Sequence, residues 1–124
     1  MTVARQRLGA RAEELAARGL SAAGWRIVDR NARTRYGELD IVALDGRDLV
    51  FVEVKAGRVG APFGPERPVF AVGRQKQLRL RRLAGAYLGD RPPLPSFGEI
   101  RFDVIGISFD GDRVADYEHI EGAF

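Results

Sequence analysis

Apolar positions along this chain follow two periods, and each change of period marks a new element. Between residues 4 and 23, Leu8, Ala12, Leu15, Ala16 and Leu20 recur at the spacing of one helix face, and Gly24 closes the segment. "WRIVDRN" (25–31) then predicts a strand, with Trp25, Ile27 and Asp29 at alternate positions on one side. Two further strands, 38–44 and 49–55, flank the tight-turn sequence "DGRD" at 45–48. "AGRVGAPFGPERP" (56–68) is rich in Gly and Pro and predicts a long loop. Helical spacing returns from about 71 to 89, where Val72, Gln75 and Arg79 alternate with Leu80, Leu83, Tyr87 and Leu88. "DRPPLPS" (90–96) cannot continue a helix. "IRFDVIGISF" (100–109) is a strongly apolar strand, and "RVADYEHI" (113–120) predicts a last one. The order helix, three strands, helix, two strands predicts an α/β layered domain with a mixed central sheet. One domain over 1–124 suits a chain of this length, which shows no repeat and no low-complexity tract.

The two hairpin strands break their own pattern at one end. A two-residue Gly46-Arg47 turn, or a four-residue loop over the same stretch, sets Leu44 against Leu49. That register puts Asp40 opposite Glu53 and Glu38 opposite Lys55. Glu38, Asp40, Val42, Leu44, Leu49, Phe51, Glu53 and Lys55 then share one face. Leu39, Ile41, Ala43, Val50, Val52 and Val54 form a wholly apolar reverse face. Opposed Cβ atoms lie roughly 5 Å apart, so two ionised acids there repel by about 3 kcal/mol at an effective dielectric near 20. Either a shared proton or a divalent cation relieves that repulsion. Carboxylate oxygens suit a hard ion, Mg²⁺ or Mn²⁺, and Lys55 would orient a water or hold a phosphate beside it. The plain alternative is a solvated strand end, with Glu38 paired to Lys55 and Asp40 to an arginine.

Charge adds a second theme. The net charge is only +3, but nearly all the cations are arginine and the pI is about 9.8. Arginines recur from Arg5 to Arg35 and from Arg74 to Arg82, whereas Asp110, Asp112, Asp116, Glu118 and Glu121 crowd the end. Arg74, Lys76, Arg79, Arg81 and Arg82 give the second helix a basic arc, and Arg58 and Arg67 bracket the long loop. Nucleic-acid backbone contact is the functional reading; solvated charge from an arginine-biased genome is the plain one. His119, the sole histidine, reads as structural. The absence of cysteine excludes disulfides and thiolate metal sites. With no signal-peptide run and no apolar stretch of spanning length, the expectation is a cytoplasmic protein with no membrane partner.

"GELDIVALDGRDLVFVEVK" resembles the core of the PD-(D/E)XK nuclease superfamily: an acid on one strand, then E-x-K on its antiparallel neighbour. In more detail the chain resembles the YraN-like bacterial family, a restriction-endonuclease-like group compared with Holliday junction resolvases. "LGARAEELAARGLSAAGWRIVDRNAR", "GRQKQLRLRRLAGAYL", "RFDVIGI" and "HIEGAF" carry the likeness over nearly the whole chain. The resemblance implies a three-layer α/β domain whose mixed sheet is flanked by helices. It implies Asp40 and Glu53 as metal ligands and Lys55 as the catalytic lysine. Glu13 would be an acid brought from the first helix, and Glu38 the extra acid of the G-E-x-D signature. Spacing alone leaves Glu13 and Glu14 open. Two positions depart from the family: Ala12 stands where Gly usually precedes the helix acid. Gly57 stands two residues after the lysine in place of an arginine, with Arg58 following.

The reading that joins these features is a Mg²⁺- or Mn²⁺-dependent nuclease for structured or branched DNA, with Arg58, Arg74, Lys76, Arg79 and Arg82 on the nucleic acid. A junction-cutting enzyme would favour a homodimer. The competing readings are a non-catalytic nucleic-acid-binding module and an assembly protein whose basic surface meets an acidic partner.

Overall fold

The computed structural model describes residues 3–61, 67–90 and 93–124. In chain order the elements are α1 (Val3–Ala22), β1 (Arg26–Thr34), β2 (Gly37–Asp45), β3 (Asp48–Arg58), a 3₁₀ turn (Pro68–Ala71), α2 (Arg74–Asp90), β4 (Ile100–Asp110) and β5 (Arg113–Ile120). The strands form one sheet in the order β1-β2-β3-β4-β5. Among the described residues only the β3–β4 pair is parallel. A parallel neighbour demands a crossover, and the segment carrying the 3₁₀ turn and α2 provides it.

Each sheet face carries its own core. Ala12, Ala16, Ala17 and Leu20 of α1 pack with Ile41, Ala43, Val50, Val52, Ile105 and Ile107. Three alanines in that stripe let the helix backbone sit close to the sheet. On the reverse face, Leu80, Leu83, Ala84 and Tyr87 of α2 pack with Val42, Leu44, Leu49, Phe51, Phe102 and Val104. Helix, sheet and helix make three layers, a restriction-endonuclease-like α/β domain. The 3₁₀ turn lies directly on β4 because Gly106 has no side chain: a Cβ there would stand 2.7 Å from Val69 Cγ1 and 2.8 Å from the Val69 backbone nitrogen.

Several expected boundaries and facings shift. β1 continues to Thr34, and a bulge between Ile27 and Asp29 turns Asp29 away from the side of Ile27. Its carboxylate accepts from Tyr87 O–H at 3.2 Å, on the α2 side. Leu39 also belongs to the α2-side core, with Ile41 on the α1 side. The hairpin's apolar reverse face is therefore not continuous, and the change of facing falls on Asp40. β3 runs through Gly57 to Arg58, paired with β4, so the loop begins later than expected. α2 begins at Arg74, since Pro68–Ala71 takes the tighter 3₁₀ turn. Residues 62–66 of the expected loop and 91–92 of the expected connector lie outside the described residues. Among the described residues no helix is long and apolar enough to cross a membrane.

Candidate active site

The hairpin register is the expected one near its turn. Asp45 faces Asp48, Leu44 faces Leu49, and the ladder continues through Ile41 facing Val52. At the next position the pattern changes. Asp40 accepts the backbone N–H of Val54 on its carboxylate at 2.8 Å, where strand pairing would have used a carbonyl. β2 stays bound to β1 there, and β3 to β4, so the two central strands part while each keeps its outer partner. The expected facing of Glu38 and Lys55 does not form. Glu38 pairs across the other ladder with Arg33 at 3.3 Å and is exposed.

Where the strands part, the acids gather around Asp40. Glu53 is largely buried and holds Lys55 at 3.3 Å. Burial and the neighbouring Asp40 push its carboxyl up to about 7, although Lys55 pulls the other way. Glu13, reaching in from α1, is likewise raised to about 7 by burial and then by Asp40, with Arg30 partly opposing. Both glutamates approach Asp40 closely enough to share a proton with it, so Asp40 is the common neighbour. The three do not all lie within 4.8 Å of one another; among the described residues only Asp103, His119 and Glu121 form such a group. Glu14 takes no part. It bridges Arg18 at 3.1 Å and Arg30 at 2.9 Å on the outer surface, and those guanidiniums hold its carboxyl low.

The parted strand ends and the start of α1 enclose a cleft of about 790 Å³, lined among others by Gly9, Glu13, Asp40, Glu53, Lys55 and Arg58. Its donors are carboxylate oxygens, the ligand type that Mg²⁺ and Mn²⁺ take. Burial first, and then the neighbouring Asp40, keep protons on both glutamates up to about 7. Glu13, Asp40 and Glu53 could hold such an ion by drawing inward.

The chain's two lysines, Lys55 and Lys76, meet at this site. Burial works against the charge on Lys55, but Glu53, with Asp40 behind it, outweighs burial and raises its pKa. Lys76, coming from α2, is lowered by the neighbouring Lys55 and by burial. Arg79 lies beside Gly37 and Arg82 beside Tyr36, while Arg74 is exposed at the start of α2. Arg67 is engaged by both carboxylate oxygens of Glu118 and lies over Phe70, 4.5 Å from the ring centroid.

A second polar cluster escaped the sequence pattern. Asp103 is fully buried in the apolar run of β4. Its carboxylate accepts from Arg101 at 2.8 and 3.0 Å and from Gly122 N–H at 3.0 Å, and it contacts His119 Nε2 at 2.8 Å. Asp45 and Glu121 also reach Arg101, and Trp25 lies under its guanidinium. With every Asp103 lone pair engaged and a guanidinium inside the group, this cluster is a structural lock on the chain's end. His119 thus has a partner, and its place is structural. The signal available in the sequence was an acid set among apolar residues in "RFDVIGI".

Residues 12–107 match the sequence profile of the uncharacterised protein family UPF0102. A UPF0102 protein of Frankia alni is 47% identical over 98% of this chain and 97% of its own length. One from Moorella thermoacetica is 45% identical over the full length of both chains. One from Streptomyces griseus is 47% identical over 96% of this chain and 97% of its own.

Proposed function

From the premise that the chain belongs to the uncharacterised protein family UPF0102, we propose that it is a metal-dependent nuclease hydrolysing phosphodiester bonds in structured or branched DNA. The observation that carries this reading is the convergence of Glu13, Asp40, Glu53 and Lys55 where two strands part, inside a cleft open to a large ligand. Three protein elements contribute, so the gathering is not an accident of one strand's alternation. Glu13, Asp40 and Glu53 would hold Mg²⁺ or Mn²⁺, which when bound supplies Lewis-acid charge and a more acidic water. Lys55, kept cationic by Glu53, orients the attacking water and neutralises charge on the phosphate oxygens. Arg58 lines the same cleft and offers a planar fork to the backbone. Arg74, Lys76, Arg79 and Arg82 add affinity that does not depend on sequence and that falls with salt.

The test is a cleavage panel of flap, fork, four-way-junction and single-stranded DNA with Mg²⁺ and with Mn²⁺. Metal-dependent cutting that Asp40→Ala abolishes is the expected result. Salt-sensitive binding with no cutting under either metal would leave a non-catalytic nucleic-acid-binding module.

A further inference from the structure

Lys76, Arg79 and Arg82 recur every three residues on α2 and so form one slanted row on its surface. From first to last the row spans about 9 Å at 1.5 Å per residue. Each member meets a different part of the same end of the sheet. Lys76 meets Lys55 at the acid cleft, Arg79 Nη2 lies beside Gly37, and Arg82 lies 5.6 Å from the ring centroid of Tyr36. The row therefore leads from the cleft to the turn between β1 and β2.

Two features suit this row to a polyanion. Arg18, Arg30, Arg33, Arg35, Arg67 and Arg101 all pair with acids, but among the described residues Lys76, Arg79 and Arg82 make no ion pair with a carboxylate. The row also ends on an aromatic ring that packs into neither core. Tyr36 is 48% exposed, with Arg35 also near it at 5.7 Å from its centroid. Basic side chains that no carboxylate neutralises, in line with an exposed ring, combine the two elements that recognise a single strand: charges for phosphates and a π-face for a base. A closed duplex offers the phosphates but keeps its bases stacked and out of reach.

We propose that this row and Tyr36 hold an unpaired DNA strand as it leaves the acid cleft, with phosphates on Lys76, Arg79 and Arg82 and one base stacked on Tyr36. Resting on the nuclease reading, this names the substrate class as DNA with a single-stranded segment next to the cut. Flaps and forks meet that description, and fully paired ends do not.

Binding is measured without cleavage, by fluorescence anisotropy in EDTA, on a labelled 12-nucleotide single strand and on the blunt duplex of the same sequence. Wild type should bind the single strand more tightly. Tyr36→Ala should weaken single-strand binding about tenfold and leave the duplex within about twofold, while Tyr36→Phe stays near wild type. Arg79→Glu with Arg82→Glu should weaken both and flatten the salt dependence. Single-strand affinity unchanged by Tyr36→Ala, or a preference for duplex, overturns the proposal. Melting curves exclude misfolding, and the exposed Tyr36 leaves the core intact in either variant. Cleavage is scored separately with Mn²⁺. Retained Tyr36-dependent binding with no cutting overturns the nuclease reading and leaves the strand track standing.

Discussion

Replacing Glu53 by Gln should make the metal-free protein more stable at high pH and leave it unchanged at low pH. Glu53 titrates at about 7 in the folded chain against an ordinary value of 4.5. Below 4.5 both folded and unfolded states hold the proton, and there is no penalty. Between 4.5 and 7 the unfolded chain ionises while the folded one retains its proton, so stability falls as pH rises. Above 7 both are ionised and the penalty is constant. A displacement of this size corresponds to about 3 kcal/mol at 1.36 kcal/mol per pH unit. The Glu53 side chain is only 15% exposed, so solvent screens little of it. Because Glu53 lies against Asp40 and acts on the equally raised Glu13, the transition should be broad. Gln is neutral throughout and can still donate to Asp40. Urea unfolding in EDTA, followed by the fluorescence of Trp25, measures the difference between the two proteins. At pH 8 Glu53→Gln should be more stable by about 2–3 kcal/mol, roughly 10 °C in melting temperature. At pH 4.5 the two should agree within about 0.5 kcal/mol. Millimolar Mn²⁺ at pH 8 should close the gap by stabilising only wild type, through mass action on the folded state. A difference that does not vary with pH, or a less stable variant at pH 8, would refute the account of Glu53 as an acid held protonated by burial and by Asp40.

Glu13→Gln should remove much of the Mn²⁺-dependent rise in melting temperature, whereas Glu14→Gln should keep it, since Glu14 is occupied by Arg18 and Arg30; equal responses would mean that α1 supplies no ligand. Gly106→Ala should lower stability by about 1–3 kcal/mol, because the added methyl group meets Val69 and Pro68, and chemical denaturation would measure it.

The hairpin was legible because two independent signals agreed on it. The turn in "DGRD" and the alternation of Leu44, Val42, Leu49 and Phe51 demand one register, and a slip of one residue would expose both cores. The layered α/β order followed from the sequence of periods, whereas the three-layer form and the family followed from the resemblance carried by "GELDIVALDGRDLVFVEVK" and its flanking segments. Alternation cannot show where a ladder opens, however, so the change of facing at Asp40 and the bulge beside Val28 were hidden. Glu13 against Glu14 could not be separated by spacing, because that depends on how α1 rolls over the sheet. The approach of Lys76 to Lys55 likewise depends on how α2 docks across the opposite face. Asp103 was overlooked because its strand is otherwise so apolar that the acid was averaged into the run.

Asp40 replaces a backbone acceptor for Val54, and that substitution joins two properties that engineers usually treat as separable. The carboxylate at the centre of the acid group also stands between the two strands where their ladder ends. A graft of residues 37–55 onto another antiparallel sheet would carry Asp40, Glu53 and Lys55 along with the opening between them. It would arrive without Glu13 and Lys76, which come from helices on opposite faces. Transplanting the hairpin alone would thus yield a cleft with only its floor, and a full copy of the acid and lysine group needs both walls.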